Sequence, residues 1–139
     1  GTGILHSEYN LEDEETNIFQ IWIKPKTTGI NPDWNMAEFP KQPVSKNLPL
    51  LVSGDSKAPL NINQDARIYV GRLNKGDEIT HNIFGKAYIL ISEGTINVSG
   101  NIAKKGDGLA ISDEKLVKLK ALSDSELLII EVPGKENAR

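Results

Sequence analysis

From Leu48 onward, apolar and polar positions alternate in short blocks, and each block is closed by turn residues. The blocks LPLLVS (48–53), APLNIN (58–63), ARIYVGRL (66–73), DEITHNI (77–83), KAYILIS (86–92), GTINVSG (94–100), GLAIS (108–112), KLVKLKAL (115–122) and SELLIIEV (125–132) read as strands. Between them stand SGDS, NKGD, EG, KKGD and SDS, whose Gly, Asp and Ser content suits tight turns, with a hairpin expected at Glu93-Gly94. Leu116, Leu119 and Leu122 would also suit a helix face, but turn signals on both flanks favour a strand. Many short strands without a βαβ unit predict an all-β, antiparallel sandwich or barrel.

Upstream the texture differs. Residues 3–9 alternate, with Ile4, His6, Glu8 and Asn10 on one side and Leu5, Ser7 and Tyr9 on the other. After the acidic turn Leu11–Asn17 comes IFQIWIK, rich in β-branched and aromatic residues and closed by Pro25, which reads as a buried strand pairing with the first as a hairpin. Pro25, Pro32, Pro40, Pro43 and Pro49 then break a stretch of little periodicity, apart from a helical turn expected over Asp33 to Phe39. Its Trp34, Met36 and Phe39 are expected to tack it onto a neighbouring surface. The expected organisation is therefore a hairpin unit over 1–25, a proline-rich linker over 26–47 and a barrel over 48–139.

Composition narrows the chemistry. At 139 residues the chain fits one ordinary domain, and 38% apolar with 25% charged residues suits a folded, soluble protein; a cytoplasmic location is expected because no basic n-region precedes an apolar run. Sixteen basic against nineteen acidic residues, scattered along the chain, argue against a nucleic-acid surface. Lys115, Lys118 and Lys120 alternate with Val117, Leu119 and Ala121 and read as the wet face of a strand. No apolar run approaches the roughly 18 residues of a membrane span. Without cysteine, any metal must be held by nitrogen and oxygen.

Only two histidines are present, His6 and His81. His6 and Glu8 stand at i and i+2 of an alternating segment, so their side chains leave the same face with Cα atoms about 6–7 Å apart. Imidazole plus carboxylate, with positions left open, is a ligand set suited to non-haem Fe(II). The competing reading is an incidental His-x-Glu on an exposed strand.

The stretch GDEITHNIFGKAYILISEGTINVSGNIAKKGDGLAI resembles the cupin pattern, a double-sheet jelly roll in which two motifs send metal ligands inward. With the last glycine of the first motif on Gly94, His81 takes the first histidine, but Ile83 and Ala87 replace the second histidine and the carboxylate. In the second motif Gly108 leads to Ile111 instead of a histidine. The resemblance thus implies a C-terminal barrel with an apolar, metal-free interior, in which His81 is a satisfied or surface histidine and no ligand.

At the start, Gly3, His6 and Asn10 match all three anchors of the second cupin motif. With the leading GTG, Glu8 and the following QIWI, the segment resembles the pirin family, whose members are bicupins. By this resemblance the chain comprises the end of a first barrel, a linker and a complete second barrel. The family's first barrel binds Fe(II) through three histidines and one glutamate, which makes His6 and Glu8 two of the four metal ligands. The implied activity is that of a quercetin 2,3-dioxygenase acting on a flavonol, with Glu8 also the catalytic base. On that expectation the chain is a fragment, inactive and metal-free alone, its N-terminal hairpin free to pack on the barrel or pair with a second copy. The alternative implied by eukaryotic pirins is a metal-dependent regulatory or protein-binding module.

Overall fold

The computed structural model describes residues 2–134; Gly1 of the expected first unit and residues 135–139 of the expected barrel unit lie outside the described residues. Ten strands form: β1 Leu50–Ser53, β2 Leu60–Asn61, β3 Arg67–Leu73, β4 Glu78–Asn82, β5 Lys86–Glu93, β6 Thr95–Val98, β7 Asn101–Lys104, β8 Gly108–Ile111, β9 Leu116–Ala121 and β10 Ser125–Val132. They make two facing sheets, a six-stranded one ordered β2-β1-β3-β10-β5-β8 and a four-stranded one ordered β4-β9-β6-β7. Each strand pair is antiparallel except β1 with β2. This is a cupin-type double-sheet jelly roll. No helix among the described residues is long and apolar enough to cross a membrane.

Two-residue alternation builds the core. In β9, Val117, Leu119 and Ala121 are buried while Leu116, Lys118 and Lys120 face water, which settles the strand-or-helix choice and makes the lysines a wet face. Lys120 pairs across the ladder with Glu78 at 2.6 Å. The inward residues of both sheets, among them Ile89, Ile91, Ile96, Leu119, Leu127 and Ile129, form one continuous apolar cluster.

The interior is not wholly apolar, against expectation. Glu131, on the inward face of β10, is fully buried, and His81 of β4 is 8% exposed. Neither sequence block announces the other, because the residues stand 50 positions apart and on different sheets.

Three local expectations are also corrected. Glu93-Gly94 is no hairpin: β5 and β6 lie in different sheets, and Gly94, at φ +79°, turns the chain from one to the other. The Thr95 amide is held there by the hydroxyls of Ser123 and Ser125. The hairpin of this region is β6–β7, missed in the sequence because Ile102 points outward and only Ala103 is buried. Its loop, Ser99-Gly100, has positive φ at both positions, as a primed two-residue turn requires. No helical turn forms over 33–39. Asp33 and Asn35 instead accept hydrogen bonds from the next backbone amides, Trp34 and Met36, the local competition that disfavours helix.

The N-terminal hairpin is not formed as a β-ladder; among the described residues, pairing begins at Leu50. A two-stranded ribbon with no third strand or helix on its face is marginal in water. Residues 2–25 do double back, and their last residues reach the barrel. Gln64 Nε2 donates to the Lys24 carbonyl at 2.8 Å, the Lys26 amide donates to the Asn63 carbonyl at 2.7 Å, and Lys26 pairs with Asp65 at 2.6 Å. The linker is tied to β3 by the Val44 amide on the Arg72 carbonyl at 2.8 Å and by Arg72 Nε on the Pro40 carbonyl at 3.0 Å. Of the three expected tacking residues only Phe39 serves, under the Arg72 guanidinium; Trp34 and Met36 are exposed.

Candidate functional site

The doubling back of residues 2–25 begins at Asn10. Its Oδ1 accepts from the Glu12 amide at 3.0 Å and from the Thr16 hydroxyl at 3.3 Å, and its Nδ2 donates to the Glu14 carbonyl at 2.7 Å. This Asx-type knot closes the acidic turn and brings the IFQIWIK run back alongside His6.

His6 and Glu8 do leave the same side of the extended segment. His6 Nε2 lies 3.7 Å from Glu8 Oε1, and both side chains are about half exposed (46% and 54%). That separation is beyond hydrogen-bonding distance. It does meet the requirement for sharing an ion: donors bound at about 2.0–2.2 Å can be at most about 4.3 Å apart. The donor chemistry and the spacing therefore fit a divalent metal. No group of three or more His, Cys, Asp or Glu that could hold a metal ion occurs among the described residues.

A third side chain reaches the pair. Gln20 Nε2 approaches His6 Nε2 to 3.3 Å. Its signal in the sequence is a lone amide inside the apolar run IFQIWI, which marks a face that meets something polar.

His81 takes no part in this site. It sits inside the barrel with Nε2 2.9 Å from Glu131 Oε1 and its ring edge-on to Tyr69, centroids 4.6 Å apart. It is a satisfied histidine, as expected, though its partner is a buried carboxylate. The cross-strand neighbour of Glu131 is Arg67, whose guanidinium stacks on Phe84 at 4.1 Å. Glu131 Oε2 has no hydrogen-bond partner among the described residues.

A cavity of about 710 Å³ lies where Ile21–Lys26 pass Gln64, Asp65, Ile130, Val132 and Pro133, and neither His6 nor Glu8 lines it. It is a gap between the N-terminal arm and the outer face of β10, not a pocket serving the donor pair.

Comparison with known proteins identifies the family. The quercetinase C-terminal cupin domain family matches residues 50–132. A pirin-like protein of Caulobacter vibrioides is 40% identical over 136 residues, 94% of this chain and 58% of its own. The quercetin 2,3-dioxygenase of Escherichia coli K12 is 35% identical over 137 residues, 96% of this chain and 58% of its own. The crystal structure of E. coli YhhW superposes with a TM-score of 0.73 at 31% identity, covering 81% of this chain and 48% of that one. Its nickel(II) complex, described as a bacterial pirin, gives 0.71 at 30% identity, with 79% and 48% covered. The chain thus spans somewhat over half the length of the curated relatives it matches. With the family match over the barrel and the GTG-x-x-His-Ser-Glu start before it, the chain belongs to the pirin family, and residues 50–132 are its quercetinase-type C-terminal cupin domain.

Proposed function

We propose that this chain is the metal-strand and second-barrel portion of a pirin-like quercetin 2,3-dioxygenase. In the intact form His6 and Glu8 are two of four ligands to a divalent ion, Fe(II) by family resemblance. The observation that carries this reading is the 3.7 Å approach of His6 Nε2 to Glu8 Oε1 inside the pirin motif. The nickel(II) complex of YhhW supports a divalent ion in the relatives, and the E. coli quercetin 2,3-dioxygenase supports a flavonol as the substrate class.

A bound ion would supply a Lewis-acid anchor for the flavonol oxygens and an open position for dioxygen. The roles of the chain's own residues follow from their chemistry. His6 presents a neutral ring nitrogen as donor and fixes where the substrate oxygens are held. Glu8, half exposed and acceptor-only when ionised, takes the proton of the flavonol hydroxyl as substrate binds. Ring opening with loss of carbon monoxide places both dioxygen atoms in the organic product and requires no external reductant. The two arms present leave the chain by itself short of a competent centre, so the activity belongs to the longer protein.

The test is turnover of quercetin by the full-length protein loaded with Fe(II) or nickel(II), followed by loss of flavonol absorbance and release of carbon monoxide. His6→Ala and Glu8→Ala should each abolish turnover. A protein that binds the ion through His6 yet leaves quercetin intact, while capturing a macromolecular partner, would establish the regulatory-module reading instead.

A further inference from the structure

We infer that the cleft where the two sheets part, beside β8, is a binding site for a small primary amine on a compact apolar body, with Glu114 at its rim holding the ammonium group. β8 is the outermost strand of the six-stranded sheet and β7 of the four-stranded one, so on this side neither sheet continues and their inner faces open to solvent. The opening is a cavity of about 350 Å³. That is the lower end of the range of small-molecule sites, roughly 300–1,000 Å³, and barrel mouths are a common place for them.

The walls are apolar and come from both sheets. Val98 of β6 and Val117 of β9 are buried at the floor, and Leu109 and Ile111 of β8 stand half-buried beside them. Leu109 and Ile111 pack against the core cluster, so the cleft is part of the barrel and independent of the N-terminal arm, His6, Glu8 and any metal. Four aliphatic side chains around one opening are covered more favourably by an apolar group than by water. The volume admits a single ring or a short branched chain and no more.

The rim is polar and carries charge of one sign. Asp113, in the turn from β8 to β9, takes φ +65°, and both of its neighbours, Ser112 and Glu114, line the cleft. Ser99 also lines it, its hydroxyl fixed by accepting from the Lys118 amide at 3.0 Å. Glu114 is the one ionisable side chain of the lining, and it forms no ion pair among the described residues. A carboxylate only accepts, and its stronger partners are charged donors. Above an aliphatic floor it therefore selects a molecule with an ammonium at one end and an apolar group at the other. A neutral analogue gains the floor without the rim, and an anionic one is repelled.

Methyl ¹H–¹³C spectra of the chain at neutral pH, titrated separately with benzylamine, benzyl alcohol and benzoate, test the inference. Benzylamine should move the signals of Val98, Leu109, Ile111 and Val117 along a saturable curve. Val52 of β1, at the far side of the six-stranded sheet from β8, should stay still. Benzyl alcohol should move the same four signals with about threefold weaker affinity, the scale of an exposed ion pair, and benzoate should bind more weakly again. Glu114→Gln, at an exposed turn position, should lower benzylamine affinity to that of benzyl alcohol and leave benzyl alcohol unchanged. Salt at about 0.5 M should have the same selective effect on the unaltered chain by screening. Shifts that never saturate, or that include Val52 equally, overturn the site. Equal affinities for the three probes, or benzylamine binding unaffected by Glu114→Gln, overturn the role of the rim carboxylate and with it the ligand class.

Discussion

Glu131 closes on His81 inside the second barrel, Oε1 to Nε2 at 2.9 Å, with the carboxylate fully buried and its other oxygen unpartnered among the described residues. Removing one member of such a pair strands the other in a low-dielectric interior. His81→Ala should therefore destabilise the barrel by about 3–5 kcal/mol. Replacing both residues by leucine should recover most of that loss, since apolar substitutes for a buried pair are often neutral or better. Urea denaturation of the three variants measures both effects, and a His81→Ala cost under about 1 kcal/mol would show that Glu131 finds another partner.

Gly94 turns the chain between sheets at φ +79°, with Ser125 Cα 2.8 Å from where a Cβ would stand and the Asp124 carbonyl closer still. Gly94→Ala therefore meets strain from both conformation and collision. A loss of about 2–4 kcal/mol is expected, on the scale of other strained-backbone and overpacking changes. Gly100→Ala, also at positive φ but with open space around it, should cost only about 1 kcal/mol.

Arg72 clamps the linker by donating to the Pro40 carbonyl, stacking on Phe39 and pairing with Glu126. Arg72→Lys keeps the charge but loses the planar fork and the stack. The substitution should leave the barrel's melting nearly unchanged while raising proteolytic cleavage within residues 30–43 several-fold. It should also speed amide exchange at Val44, whose amide bonds the Arg72 carbonyl.

The Asp55 carboxyl is lowered to about 2, chiefly by the hydrogen bond from the Lys57 side chain and then by that of Ser53. A carboxyl depressed in the folded state favours folding above its ordinary value, and this contribution fades as pH falls from 3.8 toward 2. Lys57→Ala should bring the Asp55 midpoint back toward 3.8, read from the side-chain carboxyl ¹³C shift. The group is fully exposed, so global stability should move little at neutral pH.

Much of the barrel is legible in the sequence because period-two burial writes itself directly into residue type. KLVKLKAL shows its lysines on one side and its apolar residues on the other, and SELLIIEV coincides with β10 in full. β7 escapes because Ile102 breaks the code by facing water. The Glu93-Gly94 turn differs from the expected hairpin because a tight turn has the same sequence signature whether it joins paired strands or passes between sheets. At the candidate site, the His6–Glu8 face follows from strand geometry, which extended backbone preserves even without a ladder. Gln20 and Glu131 could not be assigned partners from sequence, since each meets a histidine 14 or 50 residues away through folding alone. Both were nonetheless visible as single polar residues in apolar runs.

The chain has two tryptophans, Trp22 at 84% exposure in the N-terminal arm and Trp34 at 75% in the linker, and both precede the first strand. Intrinsic indole fluorescence will thus be red-shifted already in the native state and nearly blind to melting of the jelly roll. Emission from these two rings reports on the arm and its surroundings, whereas barrel unfolding has to be followed through Tyr69 and Tyr88 or by far-UV circular dichroism.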